Sequence, residues 1–135
     1  MDYKRVIIVD DNETALFLNT DVVEEYFDEI EVLTYSNSQE FIDGCFNNTQ
    51  WLTEHTLVLL DINMPGKYGF DVLEELEEEF EDMKNMSFAM VTSSTLKRDR
   101  ECSERYPSMI GYIVKPLEVE SLSRILEGGE MLLFK

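Results

Sequence analysis

Residues Leu57 to Gly69 read LVLLDINMPGKYG: four apolar residues in a row, an aspartate, and then a Met-Pro-Gly turn. A short continuous apolar run bounded by turn residues fits a parallel strand covered on both faces, whereas a half-solvated strand would alternate. The carboxylate of Asp61 then stands at the end of a strand driven through the core. An ionised group in such a place calls for a purpose, since charge is expensive to take out of water.

Three further runs have the same character: VIIV (Val6 to Val9), FAMV (Phe88 to Val91) and IGYIV (Ile110 to Val114). The segment IEVLTY, Ile30 to Tyr35, is a weaker fifth strand and suits an edge. Between these runs lie segments of helical period. The first carries Ala15, Leu18, Val22 and Tyr26. The second follows Asn37, which with Glu40 three residues on resembles a helix-start capping pair. The third holds Phe70, Leu73, Leu76 and Phe80 around the acidic run EELEEEFED, Glu74 to Asp82, and reads as an amphipathic helix with a solvated face, or as an acidic docking surface for a basic partner. A fourth runs from about Leu96 to Tyr106, stopped by Pro107, and a fifth begins near Leu117. Five strand-helix units in succession imply right-handed crossovers and a doubly wound parallel α/β sheet with helices on both faces.

The 135 residues are expected to form one domain, 1–135, without a separate output domain. The formal charge of −18, from 29 acidic against 11 basic residues, argues against direct nucleic acid binding and against attachment to anionic lipid. No apolar stretch is long enough to span a membrane and the N-terminus does not read as a signal peptide, so a cytoplasmic location is expected. Cys45 and Cys102 lack the spacing of a zinc site or a disulfide framework and read as reduced thiols. His55 and Trp51 read as incidental and as packing.

In an open parallel sheet the functional crevice lies beyond the carboxyl ends of the strands. The first strand ends in Asp10-Asp11, the third in Asp61, the fourth in Thr92 and the fifth in Lys115-Pro116. Three carboxylates, a hydroxyl and an ammonium should therefore converge. Two like charges about 4 Å apart repel by roughly 4 kcal/mol at an effective dielectric near 20, so the carboxylates call for a hard cation, Mg²⁺ above all. With the charge so offset, Asp61 could act as a nucleophile toward a phosphoryl group, with Lys115 and Thr92 meeting its oxygens. Taken singly, Asp10-Asp11-Asn12 is equally a helix N-cap, Asp61 a turn residue, and Thr92 and Lys115 structural; arrival at four strand ends together is what favours chemistry.

The motifs VDDN (9–12), DINMPGKYG (61–69), VTSS (91–94) and GYIVKP (111–116) cover the chain in an order and spacing that resembles the receiver domain of two-component response regulators, the chemotaxis-regulator type. The resemblance, rather than the periodicity, implies a flavodoxin-like (βα)5 fold with strand order 2-1-3-4-5. It implies Asp61 as phosphoacceptor for a histidine kinase or histidine phosphotransfer protein. It also implies Mg²⁺ held by Asp11, Asp61 and the Asn63 backbone carbonyl, with Asp10 acting mainly through water. Lys115 would pair with the phosphoryl group, Lys115-Pro116 would be cis, and Thr92 and Tyr112 would form the switch. That switch biases the face of the fourth helix, fifth strand and fifth helix. Asn63 and Ser94 stand where receivers tune phosphoryl lifetime. Where receivers often carry a Gly-Ala pair before the fifth strand this chain has ERYPSMIGY, and Gly128-Gly129 interrupts the last helix before an apolar MLLFK.

The expected function is thus a stand-alone phosphoacceptor signalling domain that acts through an unknown protein target, not an enzyme with turnover of its own beyond assisting its phosphorylation and dephosphorylation. A phosphorylation-independent receiver-like interaction module is the alternative. A remote one is an aspartyl phosphatase of the haloacid dehalogenase kind, whose D-x-D-x-T loop is echoed by Asp10, Asn12 and Thr14, although Asn12 cannot be a general acid.

Overall fold

The apolar runs are strands, and each lies where both its faces are covered. The computed structural model describes residues 2–128. One parallel sheet contains β1 (Arg5–Val9), β2 (Glu31–Tyr35), β3 (Thr56–Leu60), β4 (Met86–Thr92) and β5 (Met109–Val114), in the order β2-β1-β3-β4-β5. Alternate residues point to opposite faces. Ile7, Val9, Val58, Leu60, Phe88 and Met90 share one core with α2 (Ser38–Asn47), the single turn α3 (Gln50–Thr53) and α4 (Gly69–Glu79). Val6, Ile8, Leu57, Leu59, Ala89, Val91 and Ile113 share the other with α1 (Glu13–Tyr26) and α6 (Val119–Gly128). The remaining helix, α5 (Lys97–Ser103), packs beside β5. The strand order agrees with the expectation, and β2, whose side chains are only partly buried, is an edge strand as its weaker pattern suggested.

Four local features differ from the sequence reading. The inward stripe of α1 is rotated by about one residue: Asn19 and Val23 are buried, while Leu18 is 54 % exposed and Phe17 is 68 % exposed. Leu16, Phe17 and Leu18 are consecutive, so periodicity cannot choose among adjacent stripes; contact with the sheet does. The turn α3 is too short to show a period, yet it delivers Trp51 and Leu52 to the core. The acidic helix α4 ends at Glu79, with Phe80 as its C-cap and Phe80 packed on the core, so Glu81 and Asp82 follow the helix. Finally, α5 stops at Ser103, three residues before Tyr106: ahead of Pro107 the Arg105 and Tyr106 N–H groups donate to the Cys102 and Ser103 carbonyls at 3.1 and 3.2 Å, a tighter 3₁₀-type turn that ends the α-helix. The C-terminal MLLFK run and Gly129 lie outside the described residues.

Helix starts follow the side chains available. Asn12 accepts from the Ala15 N–H at 2.9 Å to cap α1, and Asn37 accepts from the Gln39 and Glu40 N–H groups at 2.8 and 3.1 Å to cap α2. The two cysteines differ sharply. Cys45 is fully buried and burial pushes its thiol up to about 12, whereas Cys102 is half-buried on α5, its thiol also raised first by burial. Because the thiolate is the reacting form, iodoacetamide at neutral pH should label Cys102 alone in the native protein and both thiols in urea, read as one and two adducts by intact mass. Two native adducts would contradict the buried placement of Cys45.

Candidate functional site

The carboxyl ends of β1, β3, β4 and β5 bring together the residues singled out by sequence. The register aligns Val9 with Leu60 and Leu60 with Met90, so the residues following each strand emerge on one edge. Asp10 leaves β1 with its N–H donating to the Tyr35 carbonyl at 3.0 Å, and Asp61 leaves β3 with its N–H donating to the Val9 carbonyl at 3.1 Å. Both carboxylates are buried, Asp10 to 2 % exposure; Asp11 is exposed. One oxygen from each of Asp10, Asp11 and Asp61 lies within 4.8 Å of the others. Asn12 thus serves as the helix cap, and beside it the three aspartates gather into a cluster that could hold a metal ion.

Lys115 is the counterion. Its Nζ is 2.7 Å from Asp10 Oδ2 and donates to Asp61 Oδ2 at 3.1 Å, while its backbone N–H donates to the Thr92 carbonyl at 2.8 Å. The Lys115–Pro116 peptide is cis, as expected. Asp10 Oδ1 accepts from the Asn12 N–H at 2.9 Å, and Asp61 Oδ1 accepts from the Asn63 N–H at 3.3 Å, which places Asn63 in the exposed loop beside the cluster.

Electrostatically the cluster is under-compensated. Burial pushes the Asp10 carboxyl up; Lys115 and the Asn12 N–H draw it back without cancelling that rise, and the charge of Asp61 adds to it. For Lys115 burial acts downward, yet its bonds to Asp10 and its attraction to Asp61 outweigh it, so the ammonium is held charged above its ordinary value. Three aspartates and one lysine leave a formal charge of −2. That balance and an all-oxygen donor set fit a hard divalent cation and not a soft one.

Thr92, fully buried, ends β4 on the same edge, and its Oγ1 accepts from the Ser94 N–H at 3.3 Å. Tyr112 is buried in β5 and its hydroxyl donates to the Ser94 carbonyl at 2.9 Å. The two expected switch residues are thus joined through Ser94. His55 lies before β3, at the other end of the sheet from these groups.

Sequence reasoning treated Gly69 only as part of a turn. A Cβ there would lie 2.6 Å from the Asp61 carbonyl oxygen and 3.1 Å from Ile62 Cα, and the Gly69 N–H donates to the Ile62 carbonyl at 2.9 Å. Only a residue without a side chain lets α4 start against the backbone that carries Asp61. Gly66, by contrast, has φ of 89° and open space around it, so backbone conformation alone selects it.

Comparisons with known proteins agree with this fold. The chain is 27 % identical over 124 residues to chemotaxis protein CheY-3 of Vibrio cholerae, covering 91 % of this chain and 88 % of that one. Its fold resembles a response regulator receiver protein from Dyadobacter fermentans, with 28 % identity, a TM-score of 0.78 and coverage of 92 % and 95 %. It also resembles a two component response regulator from Cytophaga hutchinsonii, with 23 % identity, a TM-score of 0.84 and coverage of 95 % and 97 %. The family model described as the response regulator receiver domain matches residues 6–127. With its sheet order and its acidic edge, the chain belongs to the response regulator receiver domain family.

Proposed function

We propose that this protein is a phosphoacceptor: Asp61 takes a phosphoryl group from a phosphohistidine of a histidine kinase or histidine phosphotransfer protein, and the modified domain signals by binding another protein. The observation that carries this reading is the setting of Asp61, a buried carboxylate with one ammonium at 3.1 Å inside a net-negative cluster that suits a divalent cation.

In the transfer, an Asp61 carboxylate oxygen forms the new O–P bond as the P–N bond to the donor breaks, and the imidazole leaves with the bonding pair. Asp10, Asp11 and Asp61, with the Asn63 carbonyl, would hold Mg²⁺, which when bound offsets charge on the phosphoryl oxygens. Lys115, already poised between Asp10 and Asp61, is free to turn its ammonium to a phosphoryl oxygen without moving its backbone. The Thr92 hydroxyl donates to another. Tyr112, tied to the same loop, carries the change to the face of α5, β5 and α6 as a shift between two populations.

The excess negative charge suits partners other than nucleic acid, and among the described residues no helix is long and apolar enough to cross a membrane, which is consistent with action in the cytoplasm beside such donors. The phosphatase alternative loses ground because Asn12, in its D-x-D-x-T echo, is used as the cap of α1.

The test is intact mass after incubation with a small acyl phosphate, with and without Mg²⁺, followed by peptide mapping. One Mg²⁺-dependent phosphoryl adduct confined to the peptide containing Asp61 is expected. No adduct, or one on another peptide, would remove the proposal and leave the phosphorylation-independent interaction module as the better reading.

A further inference from the structure

The loop between β4 and α5 is organised by one residue. Ser94 donates its N–H to Thr92 Oγ1 at 3.3 Å, accepts the Tyr112 hydroxyl on its carbonyl at 2.9 Å, donates its Oγ–H to Asp99 Oδ2 at 2.5 Å and accepts the Leu96 N–H on Oγ at 3.3 Å. Thr92 ends β4, Tyr112 lies in β5 and Asp99 is in the first turn of α5, so three elements meet on one serine. The bond to Asp99 is the short, charge-assisted kind, the strongest of the four. Leu96 occupies the N-cap position of α5 and has no side chain that can cap, which leaves Ser94 and Asp99 to order this end of the loop.

A hydroxyl has one proton and two acceptor lone pairs. When the Ser94 N–H occupies one lone pair of Thr92 Oγ1, the Thr92 proton is left to donate elsewhere, on the edge where Asp61 stands. Where that proton can be aimed depends on where the Ser94 N–H lies, and Asp99 holds Ser94. The same bond commits the Ser94 proton to Asp99, so the serine hydroxyl does not itself donate into the site.

We infer that Asp99 is a positioning residue: by holding Ser94 it aims the Thr92 hydroxyl at the group carried on Asp61, and it fastens that loop to Tyr112 and to α5. The inference rests on the phosphoacceptor reading above. Asp99 touches no reacting atom and acts only through Ser94.

The experiment uses the full chain as wild type, Asp99→Ala, Ser94→Ala, Ser94→Thr and the Asp99→Ala, Ser94→Ala double variant. It follows the rate of phosphoryl uptake from a small acyl phosphate in Mg²⁺, and backbone amide exchange. Asp99→Ala and Ser94→Ala should each slow uptake by roughly tenfold to a hundredfold, the cost of a misplaced contact group. The double variant should be no slower than either single one, and Ser94→Thr, which keeps the hydroxyl, should restore most of the rate lost in Ser94→Ala. In Asp99→Ala the Ser94 and Leu96 amides should exchange faster while β1 and β3 keep their protection. A purely structural clasp would loosen α5 and leave uptake unchanged; that result, or additive losses in the double variant, overturns the assignment. If wild type itself takes up no phosphoryl group, the phosphoacceptor reading falls and this inference with it. If wild type is phosphorylated and Asp99→Ala matches it, only the role of Asp99 falls.

Discussion

Asp61→Asn is expected to take up no phosphoryl group and, in metal-free buffer, to be more stable than the parent, while Lys115→Met is expected to be less stable by about 3 kcal/mol. The opposite signs come from the same cluster. Replacing Asp61 by its neutral isostere removes the carboxylate proposed to accept the phosphoryl group but keeps an acceptor for the Asn63 N–H, now 3.3 Å away. At an effective dielectric near 20, repulsion between charges at most 4.8 Å apart is at least roughly 3.5 kcal/mol for each of two neighbours, and attraction to Lys115 at 3.1 Å is roughly 5 kcal/mol. The repulsions win, and screening at exposed Asp11 trims the gain to about 1 kcal/mol.

Lys115→Met keeps the aliphatic stem and deletes the ammonium that serves both Asp10 and Asp61. Removing one member of a buried ion pair leaves the other charge uncompensated, which costs about 3–5 kcal/mol when fully buried; Lys115 is 24 % exposed, so the lower end applies. The sign of the pH dependence follows from Asp10. Its folded-state carboxyl is already raised, by burial first, and losing Lys115 raises it further. A raised carboxyl stabilises the fold below its unfolded value and withdraws that support as pH rises through the folded value, so the variant should lie nearest the parent in acid and furthest from it at neutral pH. Millimolar Mg²⁺ should return part of the loss and EDTA should take it away. Urea midpoints across pH, with and without Mg²⁺, measure all of this. A Lys115→Met protein as stable as the parent at neutral pH without metal would show that the carboxylates do not depend on it.

Gly69→Ala is expected to cost about 2–3 kcal/mol and to slow phosphoryl uptake, although it adds one methyl group. That methyl would meet the Asp61 carbonyl oxygen at 2.6 Å, and a backbone atom just past β3, in a residue whose N–H is bonded to the Val9 carbonyl, cannot swing aside as a flexible side chain can. Either α4 retreats, loosening Val72, Leu73 and Leu76 in the core, or the Asp61 peptide moves and takes the carboxylate out of reach of Lys115. Gly66→Ala is the control, three residues earlier. Nothing crowds that site, so only its φ of 89° opposes a side chain, at about 1 kcal/mol, with little change in uptake expected. Equal losses at the two glycines, or a harmless Gly69→Ala, would refute the close-approach account.

By itself the amino-acid sequence determined the strands and the candidate site, for one reason: in a parallel sheet covered on both faces each strand is a continuous apolar run, and all the runs end on the same edge. Asp10, Asp11, Asp61, Thr92 and Lys115 could therefore be placed together from their positions after VIIV, LVLL, FAMV and IGYIV alone. The weaker β2 was also readable, because its side chains are only partly buried and its apolar pattern is correspondingly diluted, whereas β5 at the opposite edge keeps a continuous run. Only the tertiary structure decided which stripe of α1 faces the sheet, since Leu16, Phe17 and Leu18 offer several stripes and packing selects one. It alone showed Lys115 bridging Asp10 and Asp61, Gly69 pressed on the Asp61 carbonyl, and Ser94 gathering Thr92, Tyr112 and Asp99. Periodicity reports which residues are apolar and how often; distances of a few ångströms between segments far apart in the chain are set by how the helices dock on the sheet, and no local pattern encodes them.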